Sequence, residues 1–486
     1  MSEKLKSIAI VLNSYFGPLM VEICKELKKN HDVNIHLYCK SDVLVKQYMN
    51  GEDSELFSSV TNFMKFQVAL RDDGLDKEAV LAEAKSREER YDITYNTLAV
   101  SNRHVGRGYA LGGFYHPGSR YGKASYLHMV HAYNVQLGFW EHEFEKKGVT
   151  LVLADNKEIA LVAGKMGVVY RSVARARYKN FHYWEEAETR EADAIQREFS
   201  KLPDRFVEGE SESLPPYMAG KEIIRRAMKR ASLWTAIRQS VYLLARQAWW
   251  VYKGYEKAKG YYVSEQIRQT FRQWRDIRRM LGPETVGLEE LENTPFIFYP
   301  LHTEPEQSLG QISPEFFFQL AAIAALSRDL PVGTRLAIKD VPMACGRRPD
   351  NFYDQVLRMK NVVILNVAIP GQEVIKRAVG VATIAGTAGL EAALLGKPVV
   401  SFGRHNPYNF LGHVKVNFDL GELPKQVKWL FDNDIDQKKA RGDAEKFIES
   451  VKQASFDMGE FNYFDLEKFA QDAPQEAYKL LIESLK

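Results

Sequence analysis

Cysteine is scarce: the 486 residues hold three, at positions 24, 39 and 345. Their number and scatter exclude a disulfide framework and a thiolate zinc site. Cys24 falls on a helical pattern and Cys39 ends an apolar run, so both read as small buried hydrophobes. No stretch approaches the ~18 apolar residues of a bilayer span. The opening MSEKLKSIAIVLNSYFGP has too short an apolar run for a secretory leader, so the expected location is cytoplasmic. Glycine (32) and proline (18) are too few for collagen-like or low-complexity organisation. Net charge is nearly absent too: 66 Lys+Arg against 63 Asp+Glu leave +3, which as an average argues against a polyanion partner. What remains, 45% hydrophobic and 27% charged, is the make-up of a chain with a sizeable core. Its length suggests about two or three domains.

The chain opens as strand, helix, strand. SIAIVLN (7–13) is an apolar run of strand length, MVEICKELKKN (20–30) repeats apolar residues at helical spacing, and VNIHLYC (33–39) is a second strand. A βαβ opening predicts a parallel, doubly wound sheet. The charged stretch 40–90 reads as helices and loops, YDITYNTLAV (91–100) as a strand, and the glycine-rich 101–122 as a long loop of the kind that carries function. A helix to about Lys147, strand 150–155 and strand 168–178 complete an N-terminal domain over 1–182. From Pro295 the pattern resumes: strands at 296–301, 334–340, 362–365, 381–386 and 397–403, with helices between, give a second α/β domain over 291–455. A charged helical tail, 456–486, is expected to pack back on the body.

Between the two domains the average charge breaks down. Residues 221–280 carry 15 Lys/Arg against four acids, +11, so the rest of the chain sums to −8. The same segment holds ten aromatics, and Ile237, Val241, Leu244, Ala248 and Val251 recur at helical spacing. Residues 183–290 thus read as a helical, basic and aromatic insertion. An anionic membrane surface fits it, as do an anionic glycan or lipid-linked acceptor and a helical hairpin with a solvated face. Nucleic acid is not expected, because no recognised binding module is present.

The densest local signal is TIAGTAGLEAALLGKPVVSFG (383–403). A strand ends at Gly386, and Thr387, Ala388 and Gly389 lead into a helix whose free N–H groups and positive dipole end suit a phosphate. Glu391 follows early in that helix, where a carboxylate can accept from a ribose diol. The competing reading is an ordinary βα turn without a ligand. In LHTEPE (301–306), His302, Glu304 and Glu306 sit just past a strand's C-terminal end, where α/β sheets bind ligands. Turn capping by His302 and solvated glutamates are the plain alternative.

Strand-GT-x-G-x-EA-x-x-x-GKPV-strand-FG resembles the donor-binding half of GT-B glycosyltransferases. With FIFYPLHTEPEQSLG (296–310) and RLAIKD-x-P (335–342), the chain resembles their capsule and surface polysaccharide biosynthesis family. It departs from that family at one motif, reading Lys339-Asp340-Val341-Pro342 where a Lys-Glu-His-Pro type is usual.

The resemblance implies a GT-B fold, two Rossmann-like domains facing a cleft, and transfer of a sugar from a nucleotide-sugar donor (CMP-, UDP- or GDP-linked) to a surface polysaccharide or lipid-linked glycan. It implies no metal and no cofactor beyond the donor. Donor binding then falls to Lys339, Gly386, Thr387, Ala388, Gly389, Glu391 and His405, and catalysis to His302 with Glu304 and Glu306. On the acceptor side stand Asn13, Ser14, Gly17, Arg107, His116 and Asp155, with helix capping as the alternative for Asp155. Arg171, Arg175 and Arg177 on one strand suggest an anionic ligand, with cross-strand salt bridges as the equal alternative, and His128 and His131, three apart on a helix, read as a partly buried helix face rather than a metal site. Two other functions fit the fold: a nucleotide-sugar 2-epimerase, and a non-catalytic capsule assembly or export component. Residence on the inner face of the cytoplasmic membrane goes with the basic insertion.

Overall fold

The computed structural model describes residues 5–12, 15–100, 102, 105, 124–189, 191–209, 225–255, 258, 259, 261–303, 309, 313–316, 318–432, 435–462 and 465–486. The chain forms two compact units. The first comprises Met1–Leu98, Lys123–Lys201 and Ile448–Lys486, and the second Ala99–Gly122 with Leu202–Phe447.

The first unit is built on a seven-stranded sheet. Its strands are β1 (Ser7–Val11), β2 (Asn34–Cys39), β3 (Ser59–Asn62), β4 (Leu151–Leu153), β5 (Val169–Arg175) and β6 (Phe181–Glu185), joined from the C-terminal segment by β13 (Phe456–Asp457). The order is β13-β6-β5-β4-β1-β2-β3. β1 runs parallel to both β2 and β4, in the register Ile8 beside Ile35 and Leu151. The apolar runs read as strands are therefore central strands covered on both faces. The first helix, Gly17–Asn30, starts on Gly17-Pro18 and buries Leu19, Ile23, Cys24 and Leu27, as its spacing predicts. Local chemistry sets other helix ends. Ser125 caps Tyr126–Lys147, Asn156 caps Lys157–Met166, and Gly148 and Gly167 close them at φ +56° and +71°.

Two expectations in this unit are corrected. YDITYNTLAV is not a strand: the helix Lys77–Tyr91 ends on Asp92 at φ +53°, and a short helix, Tyr95–Ala99, follows. The Glu88 carboxylate accepts from the Tyr95 N–H at 2.6 Å, and Tyr95, Leu98 and Ala99 are buried at helical spacing. That cap and that packing outweigh the strand propensity of the run. Conversely β3 lies in the stretch read as helices and loops, a short polar strand added to β2.

The second unit holds a six-stranded, all-parallel sheet. Its strands are β7 (Phe296–Pro300), β8 (Arg335–Lys339), β9 (Val362–Ile364), β10 (Gly380–Thr383), β11 (Val399–Ser401) and β12 (Val414–Val416). The order is β12-β11-β10-β7-β8-β9. Ile297, Leu336, Ala382, Ile384, Val400 and Phe402 form its core with helix residues Ile323, Leu326, Val356 and Val427. An α/β architecture of two Rossmann-like units is thus what the sequence leads one to expect and what the structure has.

The basic segment contributes two helices to this second unit, Leu233–Tyr252 and Val263–Arg279. The second is anchored to the loop after β8. Gln273 Nε2 donates to the Pro342 carbonyl at 3.1 Å, Arg272 donates to the Arg348 carbonyl, and the Asp276 carboxylate accepts from the Gly346 N–H at 3.1 Å.

Candidate functional site

β7, β8 and β10 are adjacent, so their C-terminal ends bring His302, Lys339 with Asp340, and the Thr383–Gly386 turn to one edge of the sheet. His302 is the hub. It is buried at 7% exposure, and its Nε2 accepts from the Ala385 N–H at 2.9 Å. Nε2 also lies 3.2 Å from Thr383 Oγ1, which in turn accepts from the Gly386 N–H. A nitrogen that accepts a backbone N–H carries no proton, so the proton sits on Nδ1 and is donated to Gln319 Oε1 at 3.0 Å. Gln319 completes the clamp, accepting from the His302 N–H and donating to the His302 carbonyl at 2.9 Å. Both ring nitrogens are thereby committed to shaping the turn. That is a positioning geometry rather than that of a general base with a nitrogen aimed at substrate.

Helix Thr387–Leu394 begins with Gly386 as its N-cap and no side chain supplying the cap bond, so its first N–H groups are left to other partners. Thr387 is exposed and Gly386 half-buried, while Ala388 and Gly389 are buried. The glycines are explained chiefly by packing. A Cβ on Gly386 would lie 3.1 Å from His302 Nε2, and one on Gly389 would lie 2.6 Å from Thr383 Cγ2 and closer still to the Tyr408 hydroxyl. Glu391 is half-buried, and burial raises its carboxyl above the ordinary range while a bond from Gln372 opposes the shift.

Lys339 ends β8 as a buried amine, 7% exposed, whose Nζ reaches the Asp340 carbonyl at 3.4 Å. Burial lowers its affinity for a proton, and an anion placed beside it reverses that shift. Next to it lies a network that motif reading missed. Arg348, 1% exposed, grips the Asp340 carboxylate with two bonds of 2.8 and 2.7 Å, and Tyr353 Oη donates to the same group at 2.6 Å. Arg348 also donates to the His302 carbonyl at 2.8 Å. Asp340 in the departed Lys-Asp-Val-Pro motif therefore ties β8 to β7. After β11, Asn406 Nδ2 donates to the Ile384 carbonyl at 2.7 Å and His405 beside it is half-buried, so this loop braces the same turn.

Residues 198–415 match the family model for capsule polysaccharide biosynthesis protein. That is the family resembled on sequence motifs, and the match covers the second sheet up to β12 with the basic helices before it. No curated protein sequence matches the chain. Among solved structures, the KpsC β-Kdo 2,7 transferase of Thermosulfurimonas dismutans is 15% identical over 71% of this chain and 89% of its own, with a TM-score of 0.33. The UDP-GlcNAc 2-epimerase of Methanocaldococcus jannaschii is 11% identical over 92% and 99%, TM-score 0.26. The Phytolacca americana UGT2, solved with UDP-2-fluoro-glucose and pterostilbene, is 14% identical over 99% and 98%, TM-score 0.25. Likeness at this level bears on neither substrate nor chemistry.

The remaining expected residues separate into two groups. Glu304, Glu306, Asn13, Ser14, Arg107 and His116 lie outside the described residues. Gly17 begins the first helix after β1, and Asp155 follows β4, with Asn156 rather than Asp155 supplying the cap by accepting from Ile159 N–H at 3.0 Å. Arg171 and Arg175 do not present an anion site. Arg171 donates to Ser484 Oγ at 2.9 Å and to the Ser484 carbonyl, and Arg175 to Tyr15 Oη at 2.8 Å. His128 and His131 converge on Asp72, through its carbonyl and its carboxylate. Among the described residues, no cluster of metal-ligating side chains occurs.

Proposed function

We propose that the chain is a glycosyltransferase of surface polysaccharide synthesis whose second unit binds the nucleotide-sugar donor. The observation that carries the reading is the His302-held turn. It fixes the start of helix Thr387–Leu394 at the sheet's C-terminal edge, with buried Lys339 on the same edge. The N–H groups of Thr387, Ala388 and Gly389 and the helix dipole take the donor phosphate, and Lys339 adds positive charge once the anion is bound. These groups act without a metal to stabilise charge on the departing nucleotide. Glu391 accepts from the ribose diol, and His405 borders the same pocket. His302 is a positioning residue, and proton transfer at the sugar falls to Glu304 or Glu306. Acceptor binding, of a surface polysaccharide or lipid-linked glycan, is assigned to Asn13, Ser14, Gly17 and Asp155 of the first unit and to Arg107 and His116. The enzyme acts at the inner face of the cytoplasmic membrane.

A thermal-shift screen against CMP, UDP, GDP and their sugars tests the donor assignment, because a ligand that binds only the folded state raises the midpoint. One nucleotide class should raise it, and Glu391→Ala should weaken that class about tenfold, or ~1.4 kcal/mol. Unchanged affinity in calorimetry would remove Glu391 from the site. Incubation with UDP-GlcNAc and no acceptor should leave the sugar unchanged at C2. Release of the 2-epimer would replace the transferase reading with the epimerase one.

A further inference from the structure

The helix Leu233–Tyr252 has its apolar residues on the wrong side for a core. Its buried residues are Ala236, Ser240 and Leu243, one narrow face. The recurring hydrophobes lie elsewhere: Trp234 is 71% exposed, Val241 60%, Leu244 52% and Val251 62%, with Ile237 and Tyr252 also exposed. At 3.6 residues per turn these six line one continuous stripe, with Ala245 and Ala248 inside it. No described segment covers the stripe. Its far edge carries exposed Arg238, Trp249 and Lys253, and Lys253 Nζ lies over the Trp249 ring at 4.7 Å and the Tyr252 ring at 5.6 Å.

We propose that this stripe is a membrane-docking face that lies in the headgroup region of an anionic bilayer. A long apolar stripe bordered by cations and by Trp and Tyr is the make-up of an interfacial helix. The charge singles out the occupant. A second copy would bring the same +11 segment against itself, whereas anionic headgroups complement it. The helix lies on the bilayer: no helix among the described residues is long and apolar enough to cross one. The inference extends the proposed residence at a membrane and is independent of the donor assignment.

The test uses the full chain, without nucleotide, in flotation with vesicles of phosphatidylcholine alone or with about 30% phosphatidylglycerol. Binding is expected only to the anionic vesicles and to weaken with salt. The variant Ile237→Glu/Val241→Glu/Leu244→Glu should lose it at least about tenfold, and Arg238→Glu/Lys253→Glu should lose the preference for phosphatidylglycerol. All these positions are exposed, so an unchanged circular dichroism spectrum and thermal midpoint certify each variant as folded. Three results overturn the proposal: no vesicle association by the wild type, undiminished association by the folded triple variant, or a dimer in solution that the triple variant converts to monomer. A wild type that binds nucleotide but no vesicle overturns this inference and leaves the donor reading standing.

Discussion

Asp340 and Arg348 carry the largest single-residue consequence. Both are buried, and each satisfies the other through two bonds. Asp340→Asn leaves the guanidinium without a counter-charge, which should cost about 3–5 kcal/mol in urea unfolding. A loss below about 1 kcal/mol would show the pair to be solvated. Gly389→Ala places a methyl group against Tyr408 and Thr383 and should cost about 1–3 kcal/mol. Adding Tyr408→Phe removes one obstacle and should recover part of the loss, whereas strict additivity would show that the two positions do not meet.

Two buried groups on β6 set a pH response of opposite signs. Burial pushes His182 from its ordinary 6.5 down to about 3, so its contribution is present above 6.5 and is lost as pH falls toward 3. Burial pushes Glu185 from 4.5 up to about 7, so its contribution is present below 4.5 and is lost as pH rises through 7. Between these limits the slopes oppose each other. Thermal unfolding of Glu185→Gln should therefore rise with pH more steeply than wild type from 4.5 to 7, and parallel curves would refute the assignment.

At the scale of elements, the Thr383–Leu394 turn and helix was legible because its features are local: a strand, small residues and a helix in unbroken sequence. What holds it was not legible. Gln319, Arg348 and Tyr353 are spread over 35 positions and meet His302 and Asp340 only through sheet order. The residue type at 302 suggested chemistry, and only its partners show both ring nitrogens occupied. His302→Ala should therefore lower donor affinity about tenfold while leaving the pH profile of turnover unmoved. A lost acidic limb in that profile would restore a general-base role. The helix Leu233–Tyr252 teaches the converse. Its helical period was legible, but which face is covered depends on neighbours, and here the less apolar face is the covered one.

Across the whole molecule, the alternation of strands and helices was enough to give two α/β units with parallel central strands, because such strands are nearly continuous apolar runs. The first sheet departs from the parallel expectation at one edge, where β6 runs antiparallel to both β5 and β13. The partnership of β6 with β13 was not legible: Phe456 pairs with His182 across 274 positions, and Phe456–Asp457 is too short to register as a strand. The tail helix Ala473–Ser484 joins the same unit, where Trp184 Nε1 donates to the Ala477 carbonyl at 2.7 Å and Tyr478 meets His31. Net charge behaves likewise: the small total describes no part of the chain, and its +11 segment, 221–280, contains the proposed docking stripe. The central claim, a nucleotide-sugar site at the edge of the second sheet, is open to hydrogen–deuterium exchange on the full chain with and without saturating CMP, UDP or GDP. One of the three should slow exchange in peptides covering 383–391 and 337–341 and leave the first sheet's strands unchanged. No protection there with any of the three, or protection confined to the first unit, would contradict the account.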